Sequence, residues 1–199
     1  VIGTGGDGGR KGASAAGKNG GDSSFIELTA IGGGGGGNGQ GGSVPECTRI
    51  DGRDGGSGGG TGAHPFYTAC ATGSALQPNS TDGGFGNDGF AYGDGSAFSG
   101  GGGGAGGPAT SQTGGSSFVW SEDGNSYGAG GNAASSPSNN TLKGSGGFGG
   151  ATDADGEDGI DGVVIISYNA PVKATGGIIT ESDGKVFHTF ESSSVFLPL

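Results

Sequence analysis

The chain has 199 residues, 56 of them glycine, no methionine, one tryptophan and 29% hydrophobic residues. So little apolar material excludes an ordinary side-chain core, and seven prolines without a triplet register exclude collagen. The formal net charge of −11 argues against nucleic-acid binding, which needs a basic face to neutralise phosphates, and suits a soluble surface protein.

Glycine is unevenly spread, and the gaps between glycine tracts read as strands. In chain order they are Ser24 to Ile31, Ser117 to Trp120, Gly162 to Tyr168, Gly177 to Glu181, Lys185 to Phe190 and Ser194 to Leu199. Their Val, Ile, Phe, Thr and Tyr content is that of β-structure, and a flexible linker would not carry Val163-Val164-Ile165-Ile166. Ser182-Asp183-Gly184 supplies turn chemistry for a hairpin between the fourth and fifth strands. Alternation along the fifth puts Val186, His188 and Phe190 on one face and Phe187 and Thr189 on the other. No amphipathic helix and no run of transmembrane length is present, so the sequence predicts an all-β chain with essentially no α-helix and no membrane insertion.

The glycine tracts pose a separate problem. Gly32 to Gly37 offers no side chain to bury, so only backbone N–H and C=O groups can hold it. In an extended threefold helix these groups point sideways and find no partner within the tract. One tract would not repay the entropy of ordering, about 1–2 kcal/mol per residue. Several tracts bundled together and anchored on a sheet would, because glycine alone permits that close approach.

Several motifs carry possible chemistry. Cys47 and Cys70 are either a disulfide closing a loop, worth about 3 kcal/mol on loop entropy, or two free thiols. Asn79-Ser80-Thr81 and Asn139-Asn140-Thr141 are glycosylation sequons, meaningful in a eukaryotic secretory context. Asp153, Asp155, Glu157, Asp158 and Asp161 cluster in a glycine-rich turn. They are the one candidate for a cation, calcium, though their spacing is not that of a helix–loop–helix site and a solvated turn is the preferred reading. No other cofactor is implied. Val1-Ile-Gly-Thr-Gly-Gly-Asp-Gly8 fits a dinucleotide fingerprint, and Gly12 to Lys18 fits a phosphate loop. Both patterns arise by chance at this glycine content and neither precedes a helix. His64 and His188 neighbour no cysteine or carboxylate pair, and no serine sits in a nucleophile elbow, so no catalytic constellation can be assembled. Tyr67, Phe90, Tyr92 and Trp120 stand out among the aromatics of the long middle segment. They would serve as surface contacts for a receptor or glycan, or as apolar cover for the glycine bundle.

Three blocks carry a family resemblance. Gly156-Glu-Asp-Gly-Ile-Asp-Gly-Val-Val-Ile-Ile-Ser-Tyr168 resembles the closing strand of the glycine-rich domain of bacteriophage tail-fibre adhesins and related surface proteins. Gly20 to Gly34 is similar to that family's second strand with its following glycine run, and Val1 to Gly6 to the tail of its opening strand. Gly131 to Ser135 and Asp155 to Gly159 resemble the extracellular glycine-rich region of anaplastic-lymphoma-kinase-type receptors. The resemblance implies a β-sandwich carrying an inserted bundle of polyglycine II helices, an extracellular or virion-surface location, a structural or binding role and no catalysis.

One feature departs from the family order. A segment like Val186 to Pro198 normally precedes the domain, whereas here it follows. This divides the chain into a glycine-rich domain, 1–168, and a C-terminal strand segment, 169–199. Val186, His188, Phe190, Val195 and Phe196 are then expected as an assembly strand, donated to a neighbouring repeat or copy to build a self-associating filament. A chain that begins at Val1 without a methionine is expected to have its true start upstream or to have been cleaved.

Overall fold

The computed structural model describes residues 1–10, 16–38, 50–63, 70–91, 99–133, 141–147, 149 and 155–199. The protein is all-β. Its strands are β1 Ser23–Phe25, β2 Leu28–Ala30, β3 Phe118–Val119, β4 Ser126–Tyr127, β5 Val164–Asn169, β6 Ala174–Thr175, β7 Ile178–Ser182, β8 Lys185–Phe190 and β9 Leu197–Pro198. The helical positions among the described residues are Ile50 and one 3-10 turn, Gln77–Asn79. Among these residues no helix is long and apolar enough to cross a membrane.

The strands form small antiparallel sheets: β1–β2, β3–β4, β6–β9 and the three-stranded β5–β8–β7. The turn between β7 and β8 places Asp183 at φ 49° and Gly184 at φ 75°, the two left-handed positions of a tight hairpin. The run Ser24 to Ile31, expected as one strand, is instead the β1–β2 hairpin, with Phe25 opposite Leu28. Ile26 turns the chain at φ 55°, a conformation that a β-branched side chain rarely adopts.

β8 lies between β5 and β7 and supplies most of the side-chain core. Val186, Phe187, His188 and Phe190 are all buried, and Val186 and His188 are fully so. Side chains pack on it from both faces. Phe196 meets His188 edge-on at 5.1 Å and Phe25 at 5.8 Å, while Trp120 meets Phe187 on the opposite face at 6.2 Å. The division at 168/169 therefore runs through a single sheet, because β5 pairs with β8 residue for residue, Val164 with Phe190 through Asn169 with Lys185.

The remainder is held by backbone. The first tract shows the rule. Its carbonyls at Val1, Thr4 and Asp7 accept from Ser24, Gly21 and Lys18, and those at Gly3, Gly6 and Gly9 accept from Gly162, Gly159 and Gly156. Every bond recurs after three residues. The same step joins Gly17 and Gly20 to Gly36 and Gly33, Gly34 and Gly37 to Ser57 and Gly60, and Gly100 and Gly103 to Thr61 and Gly58. Neighbouring tracts run antiparallel in some of these pairs and parallel in others, and the three-residue interval, where a β-strand repeats every two, sets this lattice apart from a sheet.

Close approach explains the residue type. A Cβ on Gly34 would lie 1.9 Å from the Arg53 carbonyl oxygen and one on Gly37 1.8 Å from that of Ile50, whereas Gly33 has nothing within 4 Å. Past Ile2, the non-glycine residues of the first tract are Thr4, Asp7 and Arg10, again every third position. Side chains are admitted where the tract faces outward and excluded where it faces a neighbour.

Candidate functional site

A tract with a three-residue repeat leaves some N–H groups without a backbone acceptor, and side chains take their place. Asp161 Oδ1 accepts from the Gly5 amide and Asp158 Oδ1 from the Gly8 amide, both at 2.8 Å. Asp51 and Asp54 serve Ala71 and Ser74 at 2.7 Å, and Asp22 and Asn19 serve Gly32 and Gly35 at 2.8 and 3.0 Å. Donors and acceptors both advance by three residues, so the acidic side chains form ladders along the tracts. A carboxylate suits this role, since it accepts without donating and makes a stronger bond to N–H than a neutral oxygen does.

The ladders bear on the calcium candidate. Asp158 and Asp161 point at tract amides, Asp158 also pairs with Arg10 at 2.8 Å, and Asp155 and Glu157 are exposed. Among the described residues no three His, Cys, Asp or Glu side chains converge as a cation would require. Asp153 lies outside the described residues. The ladder was missed in the sequence, where its signal is carboxylates or amides three apart within glycine: 19/22, 51/54 and 158/161.

A second polar cluster lies in a shallow cleft between the β3–β4 turn and the β5–β8–β7 sheet, lined by Asp123, Tyr127, Lys143, Phe187 and Glu191 among others. The Tyr127 hydroxyl donates to Asp123 Oδ2 at 2.5 Å, and the Asn125 amide donates to Asp123 Oδ1 at 2.8 Å. Partial burial, then the hydrogen bond to Asp123 and its charge, pushes the Tyr127 phenol from its ordinary 10.0 up to about 12. Burial alone would raise the Asp123 carboxyl, but the hydrogen bonds from Tyr127 and Asn125 outweigh it and hold it below 3.8. Lys185 pairs with Glu122 and Lys143 with Glu191, so the charges here are spent on one another. The cluster fastens the β3–β4 turn to the sheet.

His188 is the one fully buried titratable side chain among the described residues. Its Nδ1 lies 2.8 Å from the Gly176 carbonyl, which can only accept, so Nδ1 carries the proton. Nε2 then accepts from the Tyr168 hydroxyl at 2.7 Å, and that oxygen accepts from the Lys173 amide at 3.0 Å. Both ring nitrogens are committed. The arrangement ties β5, β8 and the turn before β7 together and presents no group to a substrate.

The other expected residues fall as follows. Cys70 is disulfide-bonded; Cys47, Asn139, Tyr67 and Tyr92 lie outside the described residues. Asn79 is exposed at the end of the 3-10 turn. Phe90 is half-buried and Trp120 is packed on Phe187. The more exposed aromatic is Phe85, stacked on Phe118 at 4.2 Å. The expected assembly strand is corrected by position. Val186, His188 and Phe190 occupy a central strand paired on both sides within the chain, and Phe196 is wedged between His188 and Phe25. Val195 alone of that set stands exposed.

In comparisons with known proteins, the chain matches no family model, no curated protein and no solved structure.

Proposed function

We propose that this chain is a non-enzymatic structural module of an extracellular or virion-surface fibre, stiffened by tracts that are polyglycine II helices bundled beside a small β-sandwich. The observation that carries this reading is the three-residue interval of the bonds between tracts, with successive carbonyls of one tract serving two neighbours in turn. Three residues per turn without internal hydrogen bonds is the signature of that helix. Such a lattice commits its backbone N–H and C=O groups to bonds between tracts. The family resemblance of the three sequence blocks points the same way.

One observation favours a second reading, a receptor-binding adhesin tip. Phe85 is 60% exposed yet stacked flat on Phe118, a preformed aromatic surface suited to a receptor or a glycan. Negative-stain electron microscopy of the purified protein across a concentration series separates the two. Extended assemblies are expected from the structural module. Discrete particles that bind cells, and lose binding on Phe85→Ala, would replace it with the adhesin.

A further inference from the structure

With β8 internal, the open edge of the main sheet is β7. All five of its residues, Ile178–Ser182, are exposed, and among the described residues no strand pairs with its outer side. The opposite edge, β5, is half-buried and has β1 against it. An exposed edge is ordinarily blunted by a proline, a lysine or a bulge. β7, Ile-Ile-Thr-Glu-Ser, has no proline, lysine or bulge, and its one charge is Glu181.

The hairpin fixes which backbone groups are free. A two-residue loop makes Ser182 and Lys185 a hydrogen-bonded pair, and alternate pairs follow: Thr180 with Phe187 and Ile178 with Thr189. The N–H and C=O groups of Ile179 and Glu181 therefore point outward. We propose that this edge docks the same edge of a second copy of the chain, antiparallel, about a twofold axis through Thr180. That register sets Ile179 of one copy opposite Glu181 of the other, so the four outward groups of each strand meet in hydrogen-bonded pairs. Thr180 then faces Thr180 in a non-hydrogen-bonded pair, a favourable cross-strand match.

Charge selects this register among its neighbours. Centring the axis on Glu181 would bring two carboxylates face to face, which is destabilising. Centring it on Ile179 would set Glu181 against Gly177 and leave Thr180 opposite Ile178. Each copy also carries a net charge of −11, so association is expected to strengthen with salt. One five-residue pair buries much less than the roughly 1,000 Å² of a stable complex. The contact is therefore weak alone and holds when copies are already gathered. It rests on the reading of the chain as an assembling module, and being twofold it joins copies laterally, since a closed symmetric contact does not elongate.

Cysteine cross-linking tests it. A non-hydrogen-bonded antiparallel pair brings Cα atoms to about 4.5 Å, within disulfide reach. Under mild oxidation Thr180→Cys is expected to cross-link with itself. Ile178→Cys and Ser182→Cys are expected to cross-link with each other when mixed, and neither alone. Adding Glu181→Pro to Thr180→Cys removes an outward N–H while sparing the ladder to β8, and is expected to slow cross-linking about tenfold. Equal cross-linking at all three positions, or none at Thr180→Cys in 0.5 M salt, about five times the usual 0.1 M screening condition, would overturn the proposal. If the proline variant fails to fold, the comparison of the three cysteine positions decides by itself. Fibres seen without the Thr180 cross-link would sink this contact and leave the fibre reading standing. The cross-link without fibres would do the reverse.

Discussion

The glycine lattice and the C-terminal sheet hold themselves together by opposite means. In the sheet, cohesion is side-chain burial: of the buried apolar residues larger than alanine among the described residues, Val186, Phe187 and Phe190 lie in β8 and only Ile50 lies elsewhere. In the lattice Ile50 is the one such side chain among the described residues, and cohesion is mainly backbone hydrogen bonding at van der Waals contact. Each bond nets only about 1 kcal/mol against a larger ordering cost, so the lattice is stable only as a whole. The sheet concentrates its stability in a few residues, whereas the lattice spreads it over many and tolerates no widening between tracts.

That contrast is broken most severely within one tract. Gly34→Ala drives a Cβ to 1.9 Å from the Arg53 carbonyl, backbone that cannot move without opening the neighbouring contacts. The expected cost is about 4 kcal/mol or more, at the extreme of single substitutions, with loss of the folded state at moderate temperature. Gly33→Ala, one residue away in open space, is expected to be neutral or to stabilise by up to about 1 kcal/mol through the unfolded chain. Urea unfolding of both variants measures the difference. Similar losses at the two positions would mean that the three-residue facing rule is wrong.

A buried polar link breaks the sheet instead. His188→Leu removes a fully buried ring and leaves the part-buried Gly176 carbonyl and Tyr168 hydroxyl proton without partners. The expected cost is about 2–4 kcal/mol. Hydrogen exchange should show it confined to β5, β7 and β8, with amides of the lattice such as Gly20 and Gly159 keeping their protection. A uniform loss would instead show that the two regions unfold as one unit.

The two regions were also unequally legible in the sequence. β8 runs from Lys185 to Phe190 as its alternation predicts, and the Asp183-Gly184 turn carries its own signal. The β1–β2 hairpin did not, because its turn rests on Ile26, which by type should continue a strand rather than reverse one. β6 escaped notice because Ala174 and Thr175 are held by pairing with Leu197 and Pro198 rather than by any preference of their own. In the lattice, glycine content suggested bundling, but which tracts pair and in which direction is decided by non-local backbone contacts that leave no pattern in side chains. The threefold placing of Thr4, Asp7 and Arg10 was legible only once the facing rule was known. The acidic residues were ambiguous for a physical reason: carboxylates gathered for a cation, carboxylates in a solvated turn and carboxylates accepting from backbone amides look alike in one dimension.

The mildest perturbation acts where the β3–β4 turn meets the sheet. The Tyr127 phenol, ordinarily near 10.0, is pushed up to about 12 in the folded chain, first by burial and then by its bond to Asp123. The folded state thus holds the proton more tightly than the unfolded state. Its contribution to stability is fully present below pH 10 and is lost as pH rises through about 12. Asp123 acts at the other end of the scale: its lowered value contributes stability above its ordinary 3.8 and loses it as pH falls through the folded value. Absorbance at the phenolate band, compared between the wild type and Tyr127→Phe, isolates this residue from the other three tyrosines of the four in the chain. One phenol is expected to titrate near 12 in the wild type, and Asp123→Asn is expected to bring it down towards 10 by removing the charge while keeping the shape. An unchanged titration in Asp123→Asn would assign the whole effect to burial, the cause that outranks the carboxylate here. The turn would then be held to the sheet by the packing of Trp120 on Phe187 rather than by its polar cluster, which would extend to this corner the side-chain rule that governs β8.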